Sequence, residues 1–155
     1  MSTETLLPEQ TAAQEVFQTV TFWLGSEEYG INILNVQEII KPTEITVVPN
    51  SPTHIEGVIN LRGRVIPVIN LRKKFLLQGQ EGTTSTKIMV VEANGKTVGL
   101  LVDRVNEVLR INPETIEPPP ALTPANHAEY ISGVCKMPGR LVIVLDLEQL
   151  ISETG

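Results

Sequence analysis

One cysteine in 155 residues rules out an internal disulfide, so the fold must rest on its core. The two histidines, His54 and His127, are far in sequence from each other, and Cys135 stands apart from His54, which leaves no metal-ligand spacing. No GxxxxGK[ST] or GxGxxG motif occurs, so neither a P-loop nor a dinucleotide turn is present and no cofactor is expected. No apolar stretch approaches the roughly 18 residues of a membrane-spanning helix, and the N-terminus lacks the basic-then-apolar order of a signal peptide. A soluble, cytoplasmic protein without direct membrane insertion is the expectation. Aromatic residues are scarce at 4%, and no Lys/Arg cluster forms a basic stripe to offset a net charge of −6. A phosphate backbone would be repelled, and a small-barrel oligonucleotide binder would lack both stacking platforms and a basic groove.

What the chain does have is Val, Ile and Leu, which supply most of its 41% hydrophobic content and favour strands. Eleven prolines and eleven glycines punctuate it into short elements. Residues 1–15, MSTETLLPEQTAAQE, are polar and without periodicity, and are expected to be a disordered lead-in to a domain spanning 16–152.

The domain repeats itself. YGINILNVQEIIK (29–41) lies over VGLLVDRVNEVLR (98–110) at an offset of 69, matching Gly30 with Gly99 and Glu38 with Glu107. IEGVINLRGRVIPVINL (55–71) lies over ISGVCKMPGRLVIVLDL (131–147) at an offset of 76. The difference points to an insertion in the proline-rich loop EPPPALTPAN of the second copy, where loops absorb added residues at small cost. Each copy offers about five short strands, opened by VTFWLG and IMVVEANG; the second hairpin carries the Asn94-Gly95 turn signal. The expected fold is all-β: two tandem SH3-like five-stranded barrels, over about 16–80 and 85–150, sharing a hydrophobic seam because a unit of about 70 residues buries too little surface alone. Short helical turns are expected at Leu34–Gln37, Leu71–Leu77 and Leu147–Ser152.

Duplication also works as an internal control, since a residue found in both copies serves the barrel and one found in a single copy is free for other work. Within GVINLRGRVIPVINLR (57–72), Gly63 permits a tight turn and Pro67 is expected at a sheet edge or bulge. Arg64 recurs as Arg140 and is read as structural, its stem on the sheet and its head in water. Arg62 stands opposite Pro138, and Asn60 opposite Lys136, so these two are the functional candidates. Arg62 is either a solvated turn residue or a five-donor guanidinium at a rigid hairpin tip, aimed at a partner's carboxylate or carbonyl. Glu38 is a candidate ion-pair partner for it. Cys135 aligns with Ile59, a strand position, which favours a buried apolar thiol over a catalytic one. The carboxylates Glu27, Glu28, Asp103 and Glu107 show no convergent catalytic pattern, so a non-enzymatic binding module is expected.

The segments EEYGINILNVQEI, VPNSPTHIEGVINLRGRVIPVINLRKKF, VGLLVDRVNEVL, EYISGV and VIVLDLEQLI together resemble the CheW family of bacterial chemotaxis coupling proteins, over about residues 16–152. The resemblance implies an adaptor joining the cytoplasmic hairpin tip of chemoreceptors to the regulatory domain of the histidine kinase CheA, recruited to membrane-associated receptor arrays. By the same resemblance the receptor-binding positions are Val36, Glu38, Gly57, Arg62 and Val108. The kinase-binding positions are Ile31 and Ile33 on one surface, and Glu117 and Leu122 on another. In the family that second loop can carry a basic residue and an aromatic, where this chain has Glu and Leu. A coupler for a chemosensory pathway with another output, such as surface motility, is the alternative within the family.

Overall fold

A computed structural model of the chain describes residues 17–75, 77, 85–119 and 129–152. The expected lead-in and Leu122 lie outside these residues.

The first hairpin is β1 (Phe17–Leu24) and β2 (Glu27–Asn32), followed by a 3-10 turn at Ile33–Asn35 and by β3 (Val36–Ile40). A second hairpin, β4 (Ile55–Leu61) and β5 (Arg64–Asn70), runs into the short helix α1 (Leu71–Lys74). A third, β6 (Lys87–Ala93) and β7 (Lys96–Val102), leads to β8 (Arg104–Ile111), a 3-10 turn at Pro113–Thr115 and the two-residue β9 (Ile116–Glu117). The described chain closes with β10 (Ile131–Met137), β11 (Arg140–Leu145) and α2 (Leu147–Ser152). The first helical turn starts one residue earlier than expected, because Asn32 caps it by accepting from the Leu34 amide. Among the described residues α1 ends at Lys74, short of the expected Leu77.

Two sheets result. One is ordered β9-β10-β11-β2-β1-β8 and the other β3-β6-β7-β5-β4. They do not follow the division expected at 16–80 and 85–150. Each copy of the repeat sends its first hairpin into the other barrel: β1 and β2 join β8 to β11, while β6 and β7 join β3 to β5. The exchange is symmetric, since β5 pairs parallel with β7 through Val68 and Gly99, and β11 pairs parallel with β2 through Val144 and Gly30. The physical reason lies at the crossovers. The 3-10 turn after β2 and the Asp103 corner after β7 each carry the chain from one sheet to the other, and Asp103 donates its amide to the Trp23 carbonyl at 3.1 Å.

The core has three parts. Ile59, Ile66, Val68, Ile88 and Val90 fill one barrel, and Ile111, Cys135 and Val142 fill the other. Between them a larger cluster draws on both sheets, with Phe22, Tyr29 and Ile31 from one meeting Ile69, Met89 and Leu100 from the other. That is the expected seam. Burying such side chains stabilises by about 1.5–3 kcal/mol each, and the largest cluster is shared, so each barrel depends on the other for the seam side chains. Pro67 is not on an edge strand. β5 lies between β7 and β4, and Pro67 stands one residue before its parallel pairing with β7 begins, where a missing amide interrupts no ladder.

Candidate functional site

The turn between β4 and β5 has two residues, Arg62 and Gly63, with φ of 51° and 85°. Positive φ at both central positions is the signature of a type I′ hairpin, whose twist matches that of the strands. Asn-Gly is the favoured pair there; this chain places arginine where only small or amide side chains sit without strain. In the second copy Pro138 cannot take positive φ, and only Gly139 does, at 69°. The Asn94-Gly95 turn takes positive φ at both positions, as its sequence predicts.

Arg62 is 71% exposed along its side chain and its guanidinium donates to the Glu38 carboxylate, so the expected pair is formed. Glu38 sits on β3 and Arg62 at the tip of β4–β5, which are the opposite edges of the five-stranded sheet. Their ion pair therefore closes the barrel, alongside the Thr46–Val58 bridge. Val36 opens β3, half-buried against the seam, and an irregularity at Gln37 separates its pairing with Val91 from that of Glu38 with Val90. Asn35 and Gln37 hold this bend by donating to Glu92, at 2.9 and 2.7 Å. Val36, Glu38 and Arg62 are thus gathered on one barrel. Val108 is on the other, on β8 opposite Val20 of β1, and 46% exposed. Gly57 is buried inside β4, beneath the Thr46 carbonyl, and its repeat partner Gly133 lies in the same way beneath the carbonyl of Glu117.

The residues expected on kinase surfaces divide differently. Ile31 is fully buried in the seam, so it has no face to offer a partner; its strand alternation turns it inward with Tyr29. Ile33 is half-buried at the crossover beside Leu34, which is 87% exposed and which pattern reading passed over. Glu117 is exposed on β9 and pairs with Lys136 at 3.3 Å.

A polar cluster that the sequence did not announce lies beside β2. Glu28 is 3% exposed and receives two bonds from Arg140, at 2.8 and 2.6 Å, and one from Asn106 at 2.8 Å. The Arg140 hydrogen bonds outweigh the penalty of burial and bring the Glu28 carboxyl from an ordinary 4.5 down to about 2. Arg140 is held above the usual arginine range, first by Glu28, and also reaches Glu107 at 2.6 Å. Its head is therefore paired rather than wet, which corrects the reading of Arg140 by analogy with Arg64. The available signal was the odd charge at Glu28, opposite Thr97 in the repeat. Cys135 is buried, in the position of Ile59. Among the described residues no cluster of His, Cys, Asp or Glu could hold a metal ion, and no helix is long and apolar enough to cross a membrane.

Comparison with known proteins adds an independent line. Residues 18–155 match the family model of the CheW-like domain. The chain is 39% identical to the chemotaxis protein CheW of Klebsiella aerogenes over 152 residues, covering 98% of this chain and 90% of that one. It is 40% identical to the chemotaxis protein CheW of Helicobacter pylori over 146 residues, 94% of this chain and 87% of the other. The crystal structure of the scaffolding protein TtCheW from Thermoanaerobacter tengcongensis superposes with a TM-score of 0.80 at 38% identity, over 87% of each chain.

Proposed function

The chain belongs to the CheW family, and from that premise we propose that it is a chemotaxis scaffold joining the cytoplasmic tip of chemoreceptors to the regulatory domain of the histidine kinase CheA. It does so without catalysing a reaction, and it is carried to membrane-associated receptor arrays by these contacts. The observation that supports this most is the Arg62 guanidinium, exposed at a hairpin tip, paired with Glu38 next to Val36, and absent from the second copy.

The chemistry is recognition. A receptor helix lays apolar residues against Val36 and Val108, and the Arg62–Glu38 pair offers both a donor fork and an acceptor to its polar flank. Gly57 contributes by letting β4 lie close under the Thr46 carbonyl rather than by contact. Kinase contacts fall to the Ile33 crossover and, in the second repeat, to Glu117 of β9, with Leu122 further along the sequence of the same repeat. Two separate surfaces let receptor state and kinase state bias each other by about 1–3 kcal/mol. Small contacts of this kind suit an array, where effective concentration compounds them.

The test uses the full chain and a receptor cytoplasmic fragment in a pulldown or titration. Arg62→Ala and Val36→Ala are each expected to weaken binding about tenfold, roughly 1.4 kcal/mol, with melting temperatures near that of the parent. Unchanged affinity in both variants would remove the assigned site.

A further inference from the structure

Asn60 was singled out with Arg62 because the second copy has Lys136 in its place, and recognition of a receptor does not itself use it. Its side-chain oxygen accepts the Gly63 amide at 3.0 Å, inside the turn that carries Arg62. Lys136 has no acceptor to offer and pairs instead with Glu117. The second turn does not need one, because the proline ring at position 138 fixes its geometry covalently. The two differences between the copies therefore belong together: arginine for proline at the turn, and asparagine for lysine two residues before it.

The need for Asn60 follows from the backbone. At φ 51° Arg62 sits in the left-handed region, which disfavours side chains with a Cβ by about 1–2 kcal/mol. The Gly63 amide belongs to the peptide plane that follows Arg62, so rotation of that plane changes Arg62 ψ and Gly63 φ, breaks the Asn60 bond and takes the turn out of the form that sets the guanidinium on Glu38. We propose that Asn60 is the positioning residue of Arg62: by holding the Gly63 amide it keeps the turn in the form that lays the guanidinium on Glu38, beside Val36. Because Asn60 is exposed, this bond adds little to global stability. Its effect is on where one charge is held. The link to binding rests on Arg62 being a receptor contact.

The experiment compares Asn60→Ala, Asn60→Asp, Arg62→Ala and the Asn60→Ala/Arg62→Ala double variant in the full chain, against a receptor cytoplasmic fragment. Asn60→Ala is expected to weaken binding about five- to tenfold, to speed exchange of the Gly63 amide, and to move the Arg62 Nε–H resonance toward that of free arginine. Its melting temperature stays within a few degrees of the parent. Asn60→Asp keeps an acceptor oxygen and restores all three. The double variant binds no more weakly than Arg62→Ala alone. Additive losses in the double variant, or an Arg62 resonance unmoved by Asn60→Ala, overturn the proposal. Should Arg62→Ala bind normally, the receptor assignment fails, and the positioning role is decided by the Arg62 resonance and Gly63 exchange.

Discussion

Arg64 donates to the hydroxyl of Thr97 at 2.9 Å, in the place where the other barrel sets Arg140 against the buried carboxylate of Glu28. One scaffold position thus sets an arginine against a hydroxyl in one half and against a carboxylate in the other. Removing one member of a buried ion pair costs about 3–5 kcal/mol, chiefly because the other is stranded, whereas a hydroxyl in place of the carboxylate leaves Arg140 an acceptor beside its second partner Glu107. Glu28→Ala is expected to lower unfolding free energy by about 3 kcal/mol, while Glu28→Thr, which copies the Arg64 arrangement, loses about half of that. Urea titrations of both variants measure it; equal losses would mean that Thr cannot stand in for the carboxylate.

Acid should act on the same residue. The folded Glu28 carboxyl lies at about 2 against an ordinary 4.5, so the folded state holds the unprotonated form more tightly. The stabilisation is complete above the unfolded value and is lost as pH falls from about 4.5 toward 2. Its size is about 3 kcal/mol. The parent is expected to lose about that much more stability between pH 5 and 2 than Glu28→Thr does. Parallel pH profiles for the two proteins would assign the acid lability to other carboxylates.

The repeat made much of this fold readable. Paired glycines and apolar strands at constant offsets located the hairpins and the Arg62 turn; the Glu38–Arg62 contact is a separate candidate, since Glu38 recurs as Glu107 and the duplication is neutral about it. It did not locate the barrels, because similarity between two segments says which are alike, not which copy pairs with which. The parallel contacts of β5 with β7 and β11 with β2 arise only when the first hairpins cross over. Ile31 was misplaced for a related reason: a β-branched residue in a strand reads the same whether its face meets solvent or a second sheet. Glu28 was hidden because turn-adjacent carboxylates are usually wet, and only its partner Arg140, far along the chain, makes its burial tolerable.

Thr19 offers a gain in stability. It is fully buried on β1 and its hydroxyl has no hydrogen-bond partner among the described residues, while the equivalent position on β6 is Ile88. An unsatisfied buried hydroxyl costs about 1–3 kcal/mol. Thr19→Val keeps the shape and removes the hydroxyl, and is expected to raise unfolding free energy by about 1 kcal/mol. Thermal melts at neutral pH read this directly. A less stable variant would indicate that the hydroxyl is satisfied in solution.

Gly57 separates contact from support. Its φ is 146°, and a Cβ there would lie 2.2 Å from the Thr46 carbonyl oxygen. At Gly63, φ is 85° and a Cβ would meet nothing within 4 Å, so only backbone strain applies. Gly63→Ala should cost about 1 kcal/mol, and Gly57→Ala about 3 kcal/mol or more, since strain and a backbone clash combine. Gly133 sits under the Glu117 carbonyl in the same way, where a Cβ would come within 2.4 Å, and no receptor role is assigned to it. Any loss of receptor binding in Gly57→Ala should therefore track the unfolded fraction and vanish once affinity is expressed per folded molecule. Circular dichroism run beside the binding titration separates the two effects. A Gly57→Ala chain that is fully folded yet binds weakly would place the receptor helix directly against this strand, and would widen the contact surface beyond Val36, Glu38, Arg62 and Val108.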